Sequence, residues 1–190
     1  MRLRDENKRK VIVQTAIRLF SQQPFHKVRL DDVAAAAGVG KGTVYIYFKN
    51  KEDLYYSMVY DGLADLVDRL ELQLHERSTS FEDRIRIVVG GLVEFSVQHP
   101  QLFEVMRTVG VPDATTAWDL KRQQLARLVE EVIRQGVEAG QCVDAQPEFT
   151  GVYIPGMVRA VMLYGPKNVD ADALTEHILA VLLRGIAKPD

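Results

Sequence analysis

At 190 residues the chain can hold one large domain or two small ones with proper cores, and its 47% hydrophobic content is ordinary for a globular protein. One cysteine, Cys142, excludes an intrachain disulfide, and the four histidines show no metal-ligand spacing, so no metal and no other cofactor is expected. The net charge of −2 divides unevenly: residues 1–50 carry ten Lys/Arg against four Asp/Glu, whereas residues 51–190 carry fourteen against twenty-two. A basic head on an acidic body is the distribution of a protein that offers one end to phosphates.

The charged N-terminus, MRLRDENKRKVIVQ, lacks the apolar h-region of a secretory signal. No run approaches the ~18–20 apolar residues of a membrane span, so a soluble cytoplasmic protein without a membrane partner is expected. Residues 4–23 read as a helix whose apolar face combines Ile12, Ala16 and Leu19 with Val13, Ile17 and Phe20, and Pro24 ends it. Two short helices follow, 30–37 and 41–48, with Gly38 between them. Asn50 is placed to cap a long helix over 51–77, with Glu52 and Asp53 in its first turn, where the helix dipole favours acids. No linker separates the basic segment from that helix, so the boundary between a domain at 1–50 and one at 51–190 falls at a helix start.

Ser80, with Asp83 three residues on, caps a helix running to Gln98, and Gly90-Gly91 in its middle marks close approach of another helix or a ligand, or simply a tolerated weakness. Further helices are expected at 100–109, from 113 or 115 to 139 with Gly140 closing it, at 147–164 with an interruption at Pro155-Gly156, and at 171–187. No segment has strand periodicity, so the fold class is all-α.

The informative stretch is AGVGKGTVYIYF within residues 28–51. Gly38 suits the left-handed turn that stops the first short helix. Val44 and Phe48, four apart, should face inward onto Val33, Ala36 and Ala37. That leaves Lys41, Gly42, Thr43, Tyr45, Ile46 and Tyr47 near the open face and N-terminal end of the second helix. Two short helices on a tight turn form a helix-turn-helix, which presents its second helix to the DNA major groove. Thr43 and Tyr45 can meet bases or backbone, Tyr47 can reach a phosphate, Gly42 permits close approach, and Lys51 can hold the backbone of the same half-site.

Ala34, Ala37-Gly38-Val39, Lys41-Gly42-Thr43, Tyr45, Tyr47-Phe48, Asn50-Lys51 and Leu54, with Phe20 before them, resemble the tetracycline-repressor (TetR) family of bacterial transcriptional regulators. The resemblance covers roughly the first 55 residues. It implies a three-helix DNA-binding head and a six-helix ligand-binding body, paired as a homodimer through the last two helices, here 147–164 and 171–187. Two positions depart from the family pattern. Val28 and Arg29 stand where one or two threonines usually open the second helix, so a capping hydroxyl is lost while Arg29 can still pair with phosphate. Gly40 stands where a serine commonly caps the recognition helix, a change worth only a few tenths of a kcal/mol.

By the same resemblance the effector pocket lies among the body helices. Candidate lining residues are Phe95, His99, Phe103, Met106, Trp118, Met157, Arg159 and Tyr164, a largely apolar set in which Met supplies adaptability. Arg159, amid VRAVML, reads as a counter-charge for an acidic ligand, an interface ion pair or a surface residue. The last helix, with Leu174, Ile178, Leu179, Val181, Leu182 and Ile186, is apolar on more than one stripe, which fits burial against a second subunit.

The expected function is therefore a ligand-responsive regulator, most simply a homodimeric repressor released from a palindromic operator by a small, largely apolar effector. Two rivals stay open: an activator of the same fold, and a helical protein-binding adaptor without specific DNA binding. An enzyme is disfavoured. His75-Glu76 lacks the second histidine of a zinc protease, and there is no G-x-S-x-G, P-loop or dinucleotide fingerprint.

Overall fold

The computed structural model describes residues 6–76, 80–108, 117–166 and 168–186. Among them are nine α-helices and no strand: α1 (Glu6–Gln22), α2 (Leu30–Ala36), α3 (Lys41–Tyr47), α4 (Lys51–Glu76), α5 (Phe81–Gln98), α6 (Pro100–Thr108), α7 (Ala117–Glu138), α8 (Pro147–Tyr164) and α9 (Ala171–Ile186). A 3-10 turn over Phe25–Lys27 joins α1 to α2. The expected helix at 4–23 is thus seen from Glu6. Expectations at Arg77, Val109, Gly110, Pro112, Asp113, Thr115 and residue 187 lie outside the described residues.

The head is built on aromatic packing. Ile12, Val13, Ala16 and Phe20 of α1 are buried, and Phe20 stacks on Phe25 at 5.6 Å between ring centroids. Tyr55, from the second turn of α4, meets both rings edge-on at 5.0 and 5.3 Å. Edge-to-face contacts of this kind add ~0.5–1.5 kcal/mol each to the burial itself. Ile17 departs from its expected place: it is 47% exposed.

α4 runs unbroken from this cluster into the body. Its start is set as the sequence indicates: the Asn50 side-chain oxygen accepts from the Asp53 amide at 2.7 Å, and the Asp53 carboxylate accepts from the Lys49 amide at 2.9 Å. In the body α7 packs most extensively on α8 and α5 on α9, with α4 against both α5 and α7. Gly91 of α5 explains half of the Gly90-Gly91 pair: a Cβ there would lie 3.1 Å from methyl carbons of both Leu66 and Leu70, so α4 and α5 approach closely at that point, whereas Gly90 faces open space.

α8 is continuous through Pro155, so the expected interruption is absent. Pro155 has no N–H to give the Gly151 carbonyl four residues earlier, and Gly151 itself serves the close approach of α7, where a Cβ would lie 2.7 Å from the Ala126 carbonyl oxygen. α9 buries Leu174, Ile178, Leu179 and Leu182, mostly against α5, and among the described side chains of its expected surplus Val181 is left half-exposed. The stronger outward apolar face belongs to α8, where Phe149, Val152 and Tyr153 are 48–61% exposed.

Candidate nucleic-acid interface

α2 ends in a Schellman turn. Gly38 adopts φ 65°, its amide donates to the Ala35 carbonyl, and the Val39 amide donates to the Ala34 carbonyl. The turn delivers α3 onto α2, with Val44 and Phe48 buried on one side and Val33 and Ala34 on the other. Ala36, expected in that surface, is exposed; it lies two residues, about 200°, round the helix from the buried Ala34.

Neither helix start has a side-chain cap. At α2 the Asp32 carboxylate accepts from the Arg29 amide at 3.1 Å, but the guanidinium has no acceptor to return the bond. Gly40 precedes α3 with extended backbone and no cap. The two short helices are instead joined by charge. Asp31 accepts from the Lys41 ammonium at 2.9 Å, with the Arg29 guanidinium 3.9 Å away. That hydrogen bond to Asp31 raises the Lys41 pKa above its ordinary value.

The outward face of α3 carries Tyr45 and Ile46, 49% and 57% exposed, with Gly42 beside them over open space. Thr43 and Tyr47 are half-buried, and Tyr47 leans on Phe48. A shallow groove of about 420 Å³ on this side brings together His26, Arg29, Lys41, Tyr45, Lys49 and Lys51, with Asp31 among them. His26 was not singled out in the sequence; it reaches the groove through the 3-10 turn, which no local pattern announced. Lys51 is the least free of the cations. Its ammonium donates to the Phe25 carbonyl at 2.9 Å and sits 4.2 Å from the Phe25 ring centroid, which pins the 3-10 turn to α4.

A helix-turn-helix whose second helix shows two large side chains to solvent, ringed by cations, is a surface for DNA. The profile of bacterial regulatory proteins of the tetR family matches residues 12–58, and that of the tetracyclin repressor-like C-terminal domain matches residues 78–186. The chain belongs to the TetR family. An HTH-type transcriptional regulator of Bacillus subtilis, YhgD, is 24% identical over 187 residues, covering 95% of this chain and 97% of its own. The fatty acid metabolism regulator protein of the same organism is 30% identical over 78 residues, 41% of this chain and 40% of its own. The solved structure of the transcriptional regulator FadR from Bacillus subtilis in complex with stearoyl-CoA superposes with a TM-score of 0.70 at 18% identity, over 93% of this chain and 98% of that one. This protein is accordingly a TetR-family transcriptional regulator with the family's all-α fold. No helix among the described residues is long and apolar enough to cross a membrane.

In the body of this TetR-family regulator the clefts among the described residues hold four of the eight expected lining residues, in two pairs. Phe95 and His99 line a cleft against α4, where the imidazole lies so close to Gly62 that a Cβ there would be 3.0 Å from Nε2. Burial lowers the His99 pKa from its ordinary value. Phe103 and Tyr164 line a different groove, between α6 and the turn after α8. Met106 and Met157 are half-buried packing residues. Trp118 is buried beside Tyr56, ring centroids 6.0 Å apart, and its indole N–H has no partner among the described residues. The Tyr56 hydroxyl is pushed up to about 12 by burial and by Glu52. Arg159 is exposed: Ile154 and Val158 face the core, and one further residue turns the side chain outward. It lines none of the clefts described, and of its three readings the exposed position fits a surface residue or an interface ion pair.

Proposed function

We propose that this regulator is a homodimeric repressor that holds a palindromic operator and releases it when a small, largely apolar effector occupies the body. Residues 1–50 serve as the DNA-binding domain and residues 51–190 as the effector and dimerisation domain, in the cytoplasm where the DNA is. The carrying observation is α3, with Val44 and Phe48 buried beneath and Tyr45 and Ile46 exposed above. Tyr45, Ile46 and Thr43 read the groove, Gly42 allows close approach, and Arg29, Lys41, Tyr47 and Lys51 meet phosphates. Dimerisation runs through 147–164 and 171–187, supported by the exposed Phe149, Val152 and Tyr153 of α8. The two recognition helices then sit about one helical turn apart, ~34–36 Å, on the two half-sites. FadR bound to stearoyl-CoA supports an effector with a large apolar part.

The test is selection from a pool of random DNA duplexes at about physiological salt. Enrichment of one palindrome supports the reading. Weak binding without enrichment, falling steeply with salt, overturns it for the chain in that state.

A further inference from the structure

Resting on the reading of the body as an effector domain, we propose that the groove between α6 and the turn after α8 seats an amphipathic anion, its acidic group held by Arg107 and its apolar part laid along Phe103. The groove encloses about 630 Å³, within the ~300–1,000 Å³ of small-molecule sites. Its chemistry is two-sided. Phe103, Met162, Leu163 and Val169 supply apolar surface, with Phe103 buried and the other three half-buried. Arg107 and Tyr164 stand exposed, and Arg107 is the one charged side chain among the described lining residues.

Among the described side chains no carboxylate pairs with Arg107, which leaves its guanidinium donors available on that side. The phenol of Tyr164 adds a further donor, at the end of the α8 segment proposed to meet the partner subunit. A guanidinium favours planar anions that accept two bonds at once, which fits a carboxylate or a phosphate better than a neutral or cationic head. Helix geometry accounts for the arrangement. Pro100, Phe103 and Arg107 recur at i, i+3 and i+7 and form one face of α6, whereas Leu102 and Val105 turn into the core.

The probes are decanoate, decan-1-ol and decyltrimethylammonium, each below its micelle concentration, titrated into the purified full chain by calorimetry. Decanoate is expected to bind at least about tenfold more tightly than the other two, the yield of a charge-assisted bond. Arg107→Gln is expected to abolish that preference and leave decan-1-ol unchanged, while Arg107→Lys retains most of it. Arg107 also lies in the last turn of α6, where a cation complements the helix dipole. If that were its whole role, Arg107→Gln would lower the melting temperature and leave the decanoate preference intact, which would overturn the proposal. Equal binding of all three probes, or of none, overturns it as well. Release of a selected duplex is measured in parallel. Arg107-dependent binding without release upholds the anion seat and sinks the effector reading on which it was framed.

Discussion

The side-chain amide of Gln101 donates to the main-chain carbonyl of Phe20 at 2.8 Å, across 81 residues of sequence. The same nitrogen lies 3.4 Å from the Gln23 carbonyl, so α6 of the body holds the C-terminal end of α1 in the head. α4 is therefore not the sole bridge between the two parts.

Gln101→Ala should release the last turn of α1. Amide exchange over residues 20–25 is expected to speed up, with about 1 kcal/mol lost in denaturant melts, the ordinary yield of a hydrogen bond. Unchanged exchange there would mean that the tie carries no weight.

Tyr45→Ala and Tyr47→Ala should separate function from packing. Tyr45 is half-exposed and stands outside the core cluster, so its loss should weaken binding to a selected duplex more than to mixed sequence, with stability within about 0.5 kcal/mol of wild type. Tyr47 packs against the core, so its truncation should also lower stability, by about 1–2 kcal/mol. Equal melts for the two variants would contradict this division.

Lys51→Ala should act twice. Loss of the bond to Phe25 and of the ring contact should cost about 1–2 kcal/mol of stability. If the ammonium also meets phosphate, the slope of log binding constant against log salt should flatten by about one. A flattened slope with an unchanged melt would place Lys51 on the DNA alone.

Gly151→Ala should destabilise the α7–α8 pair. The new methyl would lie 2.7 Å from the Ala126 carbonyl oxygen, a backbone atom that cannot swing aside. Overpacking of this kind costs about 1–3 kcal/mol. The denaturant midpoint is the measurement, and an unchanged midpoint would show that the helices separate freely there.

His99 gives the protein a mildly acidic weakness. Burial holds the folded imidazole below its ordinary 6.5, so the unfolded chain takes up a proton that the folded chain resists. Stability should be full above about pH 6.5 and fall as pH drops through the folded value. The buried Asp119 carboxylate, held low by Arg122 and Gln123, loses its contribution only at more acidic pH. His99→Gln should flatten the melt-versus-pH curve in the upper window. A curve like that of wild type would assign the loss to another group.

Caps and turns were legible because they are local. Gly38, Asn50, Ser80 and Gly140 each sit where their own chemistry ends or begins a helix, and the structure uses all four that way. The inward pair Val44 and Phe48 was equally readable from spacing of four. The aromatic knot of Phe20, Phe25 and Tyr55 was not, because its members come from three elements and Phe25 lies in a turn without periodicity. Which of the candidate lining residues share a cleft was not legible for the same reason. Composition names residues suited to a pocket, but the rotation of each helix decides which of them share one, and Arg159 fell one residue past the inward stripe.

Tyr55 has a consequence for exchange between relatives. A head cut at residue 50 would leave behind a ring that Phe20 and Phe25 pack upon. Chimaeras that graft one regulator's reading surface onto another's sensor should therefore be spliced beyond Tyr55, so that the knot travels whole. A splice at residue 50 asks a foreign side chain to complete it, and only hosts with an aromatic at that position should accept the graft.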